Sequence, residues 1–457
     1  MILKFARLAS DKYNSNMTKI LEKLGINKDN CVLGIGLFEE QIVRSLFISD
    51  EFRLLKQLTN QNEVIIFTNQ AIGDFLDTKI KELSMNKVQV LKFKEIKQSL
   101  LTKVFSFCLK WSDPSTATMR SLHREKISKR INVFGYWFRR AFFVCFRNVV
   151  LFKSIFRKLL LFTYKIDDIK NYSLTIIPNI DVFLATALSN SESDLPLSIY
   201  FKKKSIPVIA GLRSWDNLVT KGILKLQPNF LLSHSEYMTD LAIRVHGISP
   251  TSVIQSVTPS YQIRFQPDRE LKENKLLNIT YGCIGPALNP DEINFISWLG
   301  DISNDIDVTI TVVQHPKFKH NLEVIDTGKL HFKTFDYLST TLQEYFQFIA
   351  DQDLVIASGT SFALDTMFAK TPLVGLAFEI IQQDYWFSHL RSYDALPHSK
   401  HLFDKLLIKK ITSEAQLIEI LKGKRNLQDF VNSTDSLQYL TGNIDLRFDD
   451  QILDLFK

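Results

Sequence analysis

Between Asp353 and Glu379 the chain reads DLVIASGTSFALDTMFAKTPLVGLAFE, with small hydroxyl residues and a glycine placed where phosphate chemistry would need them. Leu354, Val355, Ile356 and Ala357 form a short apolar run of the kind that becomes a strand buried on both faces, and Pro372 to Phe378 forms another. Between them, Ser358, Gly359, Thr360 and Ser361 open a segment with Phe362, Leu364, Met367 and Phe368 at helical spacing. Such a turn leaves backbone N–H groups and hydroxyls aimed along a helix dipole, which suits the phosphates of a bound nucleotide. Glu379 falls at the carboxyl end of the second run, where a carboxylate could bond a ribose diol. The plainer alternative is that Ser358 and Thr360 cap a helix and Glu379 faces water.

Other polar residues follow other strand-like runs. Gly282 and Gly285, in TYGCIGPALNPDE, could let backbone approach a ligand or could form an ordinary strand-to-helix turn. His315 and Pro316 follow TITVVQ, and a histidine there can donate to a phosphate or a sugar hydroxyl. Arg213, Ser214, Trp215, Asp216 and Asn217 follow PVIAG, with Lys221 and Gly222 just after, a density of polar groups that a structural loop seldom needs. Glu39 and Glu40 follow VLGIGLF, with Arg44 within a helical turn beyond, and either carboxylate is a candidate general base.

Positioning these residues requires strands that end just before them. Strand-like runs fall near Val32 to Leu37, Val64 to Thr68, Val88 to Phe93, Leu174 to Pro178, Val208 to Ala210, Phe230 to Ser233 and Val253 to Ser256. A second set falls near Asn278 to Tyr281, Val308 to Val313, Leu330 to Thr334, Leu354 to Ala357 and Leu373 to Ala377. Helical stretches alternate with them, which argues for α/β layers on parallel sheets. The polar, charged stretch Gln266 to Lys275, QPDRELKENK, is the best candidate for a linker between two domains. No internal repeat or low-complexity tract interrupts the pattern. Two such domains suggest a cleft at the carboxyl ends of two sheets.

At 457 residues and 45% hydrophobic content, the chain can bury more than one core. Cys31, Cys108, Cys145 and Cys283 lie far apart, without the spacing of a disulfide framework or a zinc site, and fit a reducing compartment. The opening residues MILKFARLASDKYNSN have no apolar stretch long enough for a signal peptide, so secretion is not expected.

Charge is concentrated. From Leu100 to Lys165 there are 14 basic residues against Asp113 and Glu125, a local charge of +12 that leaves the remainder at −5 of a net +7. Within that segment, Tyr136 to Lys165 is dense in aromatic and aliphatic residues, with no uncharged run approaching the roughly 20 residues that span a bilayer. On a helical wheel Arg139, Arg140, Arg147, Lys153, Arg157, Lys158 and Lys165 share one broad arc, opposite Trp137, Phe138, Phe152, Ile155, Phe156 and Leu159. That is the pattern of a helix lying in an anionic membrane interface; the alternative is a helix packed on its own domain with a solvated basic arc. No zinc finger or RNP-type motif accompanies the patch, so nucleic acid is not expected as a partner.

The order of elements, the SWDN cluster at Ser214 to Asn217 with Lys221 and Gly222, the His315-Pro316 pair and the SGTSFALD turn followed by a strand and Glu379 resemble GT-B glycosyltransferases of bacterial surface-polysaccharide synthesis. They also resemble the related CDP-glycerol glycerophosphotransferases and non-hydrolysing UDP-GlcNAc epimerases. The resemblance covers roughly Val32 to the end and is firmest in the second half.

It implies an α/β fold of two Rossmann-like doubly wound domains facing a cleft. These would be an acceptor-binding domain over 1–268, with a basic amphipathic helical insertion at 100–165, and a nucleotide-sugar-binding domain over 276–440. Residues 441–457 would form a helix crossing back. The implied activity is glycosyl transfer from a nucleotide sugar, a co-substrate and not a cofactor, to a lipid-linked or growing surface polysaccharide such as capsule or lipopolysaccharide.

In that reading Gly282, His315, Ser358, Gly359, Thr360, Ser361 and Glu379 hold the nucleotide. Arg213, Trp215, Asn217 and Lys221 hold the acceptor, and Glu39, Glu40 or Asp216 acts as base. The protein would work in the cytoplasm as a peripheral protein on the inner face of the cell membrane, reached through 136–165. Asp305-Ile306-Asp307 and Asp351-Gln352-Asp353 imitate a metal-binding DxD, but each precedes a strand, and the fold implied generally needs no metal.

The chain departs from the family in two places. VTPSYQIRF stands where relatives often carry a Gly-x-x-x-x-Asp-like turn, and the phosphate turn has one glycine, without the paired acidic residues of the epimerases after Glu379. Transferase is therefore favoured over epimerase. Two rivals stay open: transfer of glycerol phosphate from CDP-glycerol, and a non-catalytic membrane scaffold of the same fold.

Overall fold

The computed structural model describes residues 31–456 apart from 95–97, 114–115, 128, 148, 165–176, 189–193, 264, 266–276, 287–288, 290–291, 318, 322–327, 359–360, 383, 385–386, 390–407, 424–425, 432–436, 438–440 and 443–446. Among these residues the chain runs β1 (Val32–Leu37), α1 (Glu40–Leu46), α2 (Arg53–Gln61), β2 (Glu63–Thr68), α3 (Gln70–Glu82), β3 (Val88–Lys92), α4 (Leu100–Trp111), α5 (Thr116–Ile127), α6 (Val133–Phe146) and α7 (Val150–Thr163). It continues through β4 (Val182–Ala185), α8 (Asp194–Lys203), β5 (Val208–Gly211), α9 (Asn217–Thr220), β6 (Phe230–Ser233), α10 (Glu236–Arg244) and β7 (Val253–Gln255). Then follow β8 (Leu277–Gly282), α11 (Glu292–Asp305), β9 (Val308–Val313), β10 (His331–Lys333), α12 (Leu342–Ala350), β11 (Leu354–Ala357), α13 (Ser361–Phe368), β12 (Leu373–Leu376), β13 (Lys409–Ile411), α14 (Glu414–Leu421) and α15 (Phe448–Phe456).

These elements form two compact units. One comprises Met1–Pro114, Phe142–Ile263 and Thr441–Lys457, the other Ser115–Ala141 and Arg264–Leu440. Each is built on one parallel sheet, ordered β3-β2-β1-β4-β5-β6-β7 in the first and β10-β9-β8-β11-β12-β13 in the second. Both are doubly wound α/β sheets, as the alternation of elements predicts. The strand order reverses between β1 and β4 and again between β8 and β11, and such reversals open a crevice at the strands' carboxyl ends. On the first sheet Phe67 of β2 packs edge to face against Phe183 of β4 and Phe201 of α8, with centroids 5.8 and 5.4 Å apart. In the second, alternate residues of β8, β9, β11 and β12 meet Phe295, Ile296 and Leu299 of α11 and Leu417, Ile420 and Leu421 of α14.

Most strands lie on the residues expected of them, and two do not. The run expected as a strand at Leu174 to Pro178 falls partly outside the described residues, and 177–180 is not strand; the ladder partner of β1 is Val182–Ala185, four residues long and paired through Leu33 to Gly36. β13, the three-residue KKI at the sheet edge, carries too little apolar signal to foresee. The linker expected at Gln266 to Lys275 lies outside the described residues.

The chain returns to the first unit at its end. The Thr258 N–H donates to the Thr441 carbonyl at 2.9 Å, and Gly442 follows at φ +88°. A Cβ at Gly442 would collide with the carbonyl oxygens of His234 and Ser256, so only glycine passes here. Beyond it, α15 sets Phe448 against Gly211, and Gln451 Nε2 donates to the Gln255 carbonyl at 3.1 Å. Arg53 and Arg447 gather Asp50, Asp449 and Asp450 into an ion-pair network, with Arg53–Asp449 at 2.9 Å.

The basic aromatic helices are oriented differently from the expectation. Lys153 and Arg157 of α7 are both 7% exposed. Arg157 Nε and Nη2 donate to the carbonyls of Leu224 and His246, each at 2.9 Å, and Lys153 Nζ reaches Val245 O at 3.4 Å. Val245 and His246 close α10, whose last carbonyls lack helical partners and sit at the negative end of its dipole, so two cations dock there. Burial draws the Arg157 guanidinium down to about 10 and lowers Lys153 as well. Trp137, Phe138, Ile155 and Leu159 of the opposite, apolar arc are exposed. Lys165 lies outside the described residues. No helix of the described residues is long and apolar enough to cross a membrane.

Candidate functional site

In the second unit the ladder sets Gly282 level with Val313 and with Ala357. Cys283, Gln314 and Ser358 therefore leave three adjacent strands side by side at the β8/β11 reversal, with neighbouring strands about 4.8 Å apart. Glu379 follows β12, the next strand over. Ser358 is buried, and its Oγ bonds Nδ1 of His389 at 2.5 Å. The other ring nitrogen, Nε2, meets Asn289 Nδ2 at 3.1 Å. An amide nitrogen only donates, so Nε2 accepts, which puts the proton of a neutral His389 on Nδ1, donating to Ser358, and leaves the serine hydroxyl hydrogen available. Asn289 Oδ1 is buried without a hydrogen-bond partner.

The remaining expected nucleotide residues are placed as follows. Gly359 and Thr360 lie outside the described residues, and Ser361 is the exposed first residue of α13. Glu379 accepts the backbone N–H of His389, and its second carboxylate oxygen lies 4.0 Å from His389 Nε2. His315 is half-buried after β9, its Nδ1 accepting the Lys317 N–H at 3.1 Å. At Gly282 a Cβ would collide with the Phe362 ring, so this glycine admits the first turn of α13 against the strand end. Gly285, at φ +92°, takes the left-handed conformation that suits glycine.

Glu292, at the start of α11, went unnoticed in the sequence. Fully buried, its carboxylate accepts Tyr281 Oη at 2.6 Å, the Ile284 and Gly285 N–H groups at 2.8 Å, and His320 Nε2 at 2.7 Å. Burial alone would push this carboxyl up, but the bonds from His320, Tyr281 and the Ile284 N–H outweigh it and hold it below the usual range. Four donors on one carboxylate fix the turn from β8 to α11. His389, Asn289 and His320 were missed too, because they stand 31, 69 and 38 residues from Ser358, with no spacing to link them.

In the first unit, Glu39 follows β1 at the N-cap position of α1 without a side-chain capping bond, and Arg213 follows β5. Arg213 Nη1 reaches Glu39 Oε2 at 2.7 Å, both side chains being mostly buried. Asn217 is fully buried, its Oδ1 accepting the N–H groups of Arg213 and Ser214 at 3.0 Å each, and Trp215 is buried as well. Those two residues thus shape the Arg213–Asn217 loop. Asp216 is half-buried and accepts Thr220 Oγ1 at 2.9 Å, Lys221 is exposed, and Glu40 stands in the first turn of α1.

Two further buried groups of this unit had no signature in the sequence. Asp194, at the start of α8, accepts the Ala187 N–H at 2.7 Å, while its Oδ1 lies against Gly36 without a partner. Burial pushes this carboxyl up to about 8, the Ala187 bond opposing and the charge of Glu39 adding. His234, after β6, is buried with neither ring nitrogen hydrogen-bonded, and burial pulls it down to about 3 against the attraction of Asp216. The paired carboxylates of the DxD-like sequences lie at the opposite edge of the second sheet, where Asp353 accepts the Asn278 N–H at 2.8 Å as β8 and β11 begin.

No family model and no curated protein matches the chain. Among solved structures it is similar to the glycotransferase of kitacinnamycin, at 9% identity and a TM-score of 0.48 over 94% of this chain and all of that one. It is similar to the UDP-GlcNAc 2-epimerase from Methanocaldococcus jannaschii, at 12% and 0.47 over 92% and 97%. It is also similar to MurG from Acinetobacter baumannii, at 11% and 0.43 over 93% and 99%. At these identities and scores the likeness does not extend to substrates or to site residues.

Proposed function

We propose that the protein is a metal-independent glycosyltransferase moving a sugar from a nucleotide-sugar donor to a lipid-linked or growing surface polysaccharide at the inner face of the cell membrane. One observation carries this reading: the Ser358 turn stands at the strand-order reversal of the second sheet, leads into α13, and is backed by a buried Ser358–His389–Asn289 chain ending in an unpartnered oxygen. Charge on a departing diphosphate would be met by the N–H groups and hydroxyls from Ser358 through Ser361, helped by His315, with the α13 dipole adding to them. Gly282 keeps α13 close to the strand end, and Glu379 holds the ribose. On the first unit Glu39, Glu40 or Asp216 takes the proton of the acceptor hydroxyl. Its oxygen then attacks the anomeric carbon, and the electron pair of the broken C–O bond leaves on the diphosphate. Arg213 orients Glu39, Lys221 holds the acceptor, and Trp215 and Asn217 act by shaping the loop between Arg213 and Lys221.

Calorimetric titration with UDP, CDP, GDP, dTDP and CMP tests the donor side. One base should bind selectively, and Ser358→Ala and Glu379→Ala should each weaken it about tenfold, the cost of one hydrogen bond to a charged group. Binding of none of the five, or unchanged affinity in both variants, would sink the assignment. Transfer that stops when divalent cations are chelated would remove metal independence from it.

A further inference from the structure

Among the described residues of the second unit, two buried acceptor oxygens have no hydrogen-bond partner: Asn289 Oδ1 and Gln314 Oε1. Asn289 is 1% and Gln314 8% exposed. They stand on loops that leave the adjacent strands β8 and β9. Asn289 lies on the turn after β8, its carbonyl accepting the Glu292 N–H at 3.3 Å, and its amide nitrogen is spent on His389 Nε2. Gln314 is the first residue beyond β9 and is tied to the sheet by its own N–H, which donates to the Lys333 carbonyl at 2.9 Å. A buried oxygen without a donor has given up water for nothing, so two of them at one end of a sheet point to a ligand that brings the donors.

Their place along the sheet indicates which part of a ligand that is. On the nucleotide reading proposed above, on which this inference rests, Glu379 after β12 takes the ribose and the Ser358 turn after β11 takes the diphosphate. The sheet continues in the order β11-β8-β9, so the next two loops along the crevice are those of Asn289 and Gln314. With strands about 4.8 Å apart, Gln314 stands two spacings, roughly 10 Å, from Ser358. Ribose, diphosphate and transferred sugar follow one another in that order along a nucleotide sugar, whereas the base hangs from the far side of the ribose. The group that reaches β8 and β9 is therefore the sugar. Lone acceptor oxygens repel a phosphate or a carboxylate, which have no hydrogen to give at neutral pH, and bind hydroxyl O–H or amide N–H groups. The ionised carboxylate of Glu292, on the same turn as Asn289, adds negative charge at this end of the crevice.

We propose that Asn289 Oδ1 and Gln314 Oε1 form the subsite of the transferred sugar and select a neutral sugar, through its hydroxyl or acetamido hydrogens, over one that bears a carboxylate. Asn289 serves both ends of the donor: its Nδ2 supports His389 and through it Ser358, while its Oδ1 receives the sugar. Gln314 has no bond to that chain and acts on the sugar alone, which makes it the residue to change.

The test is calorimetric titration of the full chain with paired conjugates of the base it selects: UDP-glucose against UDP-glucuronate, GDP-mannose against GDP-mannuronate, dTDP-glucose against dTDP-glucuronate, or CDP-glucose against CMP-N-acetylneuraminate. The neutral member should bind at least about tenfold tighter, the worth of one hydrogen bond to the sugar. Gln314→Met, close in size but without the acceptor, should cut the affinity of the neutral conjugate about tenfold and leave that of the bare nucleotide unchanged. It should not lower the melting temperature, because it removes an unpaired polar atom from the interior. Gln314→Lys should turn the preference toward the acidic member. Equal or tighter binding of the acidic member by the parent would overturn the inference, as would a preference that survives Gln314→Met. In both cases the bare nucleotide still binds and still weakens in Ser358→Ala and Glu379→Ala, so the nucleotide reading stands. Binding of no nucleotide, bare or conjugated, would remove that reading and this inference together.

Discussion

The two sheets differ at their carboxyl ends in how their buried ionisable groups are satisfied. At the carboxyl end of the second, Glu292 is surrounded by four donors and the Ser358–His389–Asn289 chain is closed, with Asn289 Oδ1 and Gln314 Oε1 left unpaired. At the first, Asp194 keeps one buried oxygen unpaired and His234 keeps both ring nitrogens so. A fully satisfied buried carboxylate acts as a rivet that gives a turn one geometry. A buried group left unsatisfied costs stability, and selection tolerates that cost most readily where something else binds or reacts. The Arg213–Glu39 pair and the Asn217 bonds show that the first unit satisfies the loop beside these two groups.

The contrast breaks first at Glu292. Replacing it by Ala strands four interior donors, including His320, and should cost about 3–5 kcal/mol in urea denaturation; a loss near zero would mean the rivet is ornamental. Asp194 sharpens the other side through pH. Its native carboxyl holds the proton up to about 8, whereas an unfolded one releases it near 3.8, so the native state carries the extra proton between these values and stability falls as pH rises. His234 and His246, drawn down to about 3 and about 4 by burial, slope the opposite way below 6.5. The clean window is therefore from 6.5 to 8, where stability should drop by about 1.4 kcal/mol per pH unit and where Asp194→Asn should flatten the profile.

Asn217→Ala, which frees the N–H groups of Arg213 and Ser214, should cost about 1–2 kcal/mol, read as a lower melting temperature. Smallest is Ser358→Ala, which should leave melting of the free protein within about 1 kcal/mol of the parent while weakening nucleotide binding; a larger loss of stability would move Ser358 from the binding turn into the framework.

How far the sequence could be read follows the same division. Apolar runs bounded by polar turns betray strands, and β1, β6, β9 and β11 stand on the residues expected. β4 was displaced because two short apolar runs compete within a dozen residues and only ladder pairing with β1 chooses between them. The SWDN cluster was visible as a concentration of polar groups, but its composition did not reveal that Trp215 and Asn217 face inward and build the loop. Periodicity set Lys153 and Arg157 of α7 on one arc and Ile155 and Leu159 on the other, but Lys158, placed with the first two, is exposed beside Leu159. Which arc faces the core depended on the carbonyls that end α10, about 90 residues away, a partner no helical wheel contains. His389 and Glu292 escaped for the same reason: each acts only through residues brought to it by the fold.

The passage through Gly442 has a consequence for the order in which this protein is made. The first unit includes Thr441–Lys457, and the intervening chain from Arg264 to Leu440 belongs to the other unit. A nascent chain ordinarily completes its domains from the amino end onward. Here the amino-terminal sheet waits, with the Thr258 N–H without its Thr441 acceptor, Gly211 without Phe448 and Arg53 without Asp449, until the ribosome has translated the whole second unit. The domain begun first is therefore finished last, and its β5–β7 edge is the surface that needs shelter during synthesis.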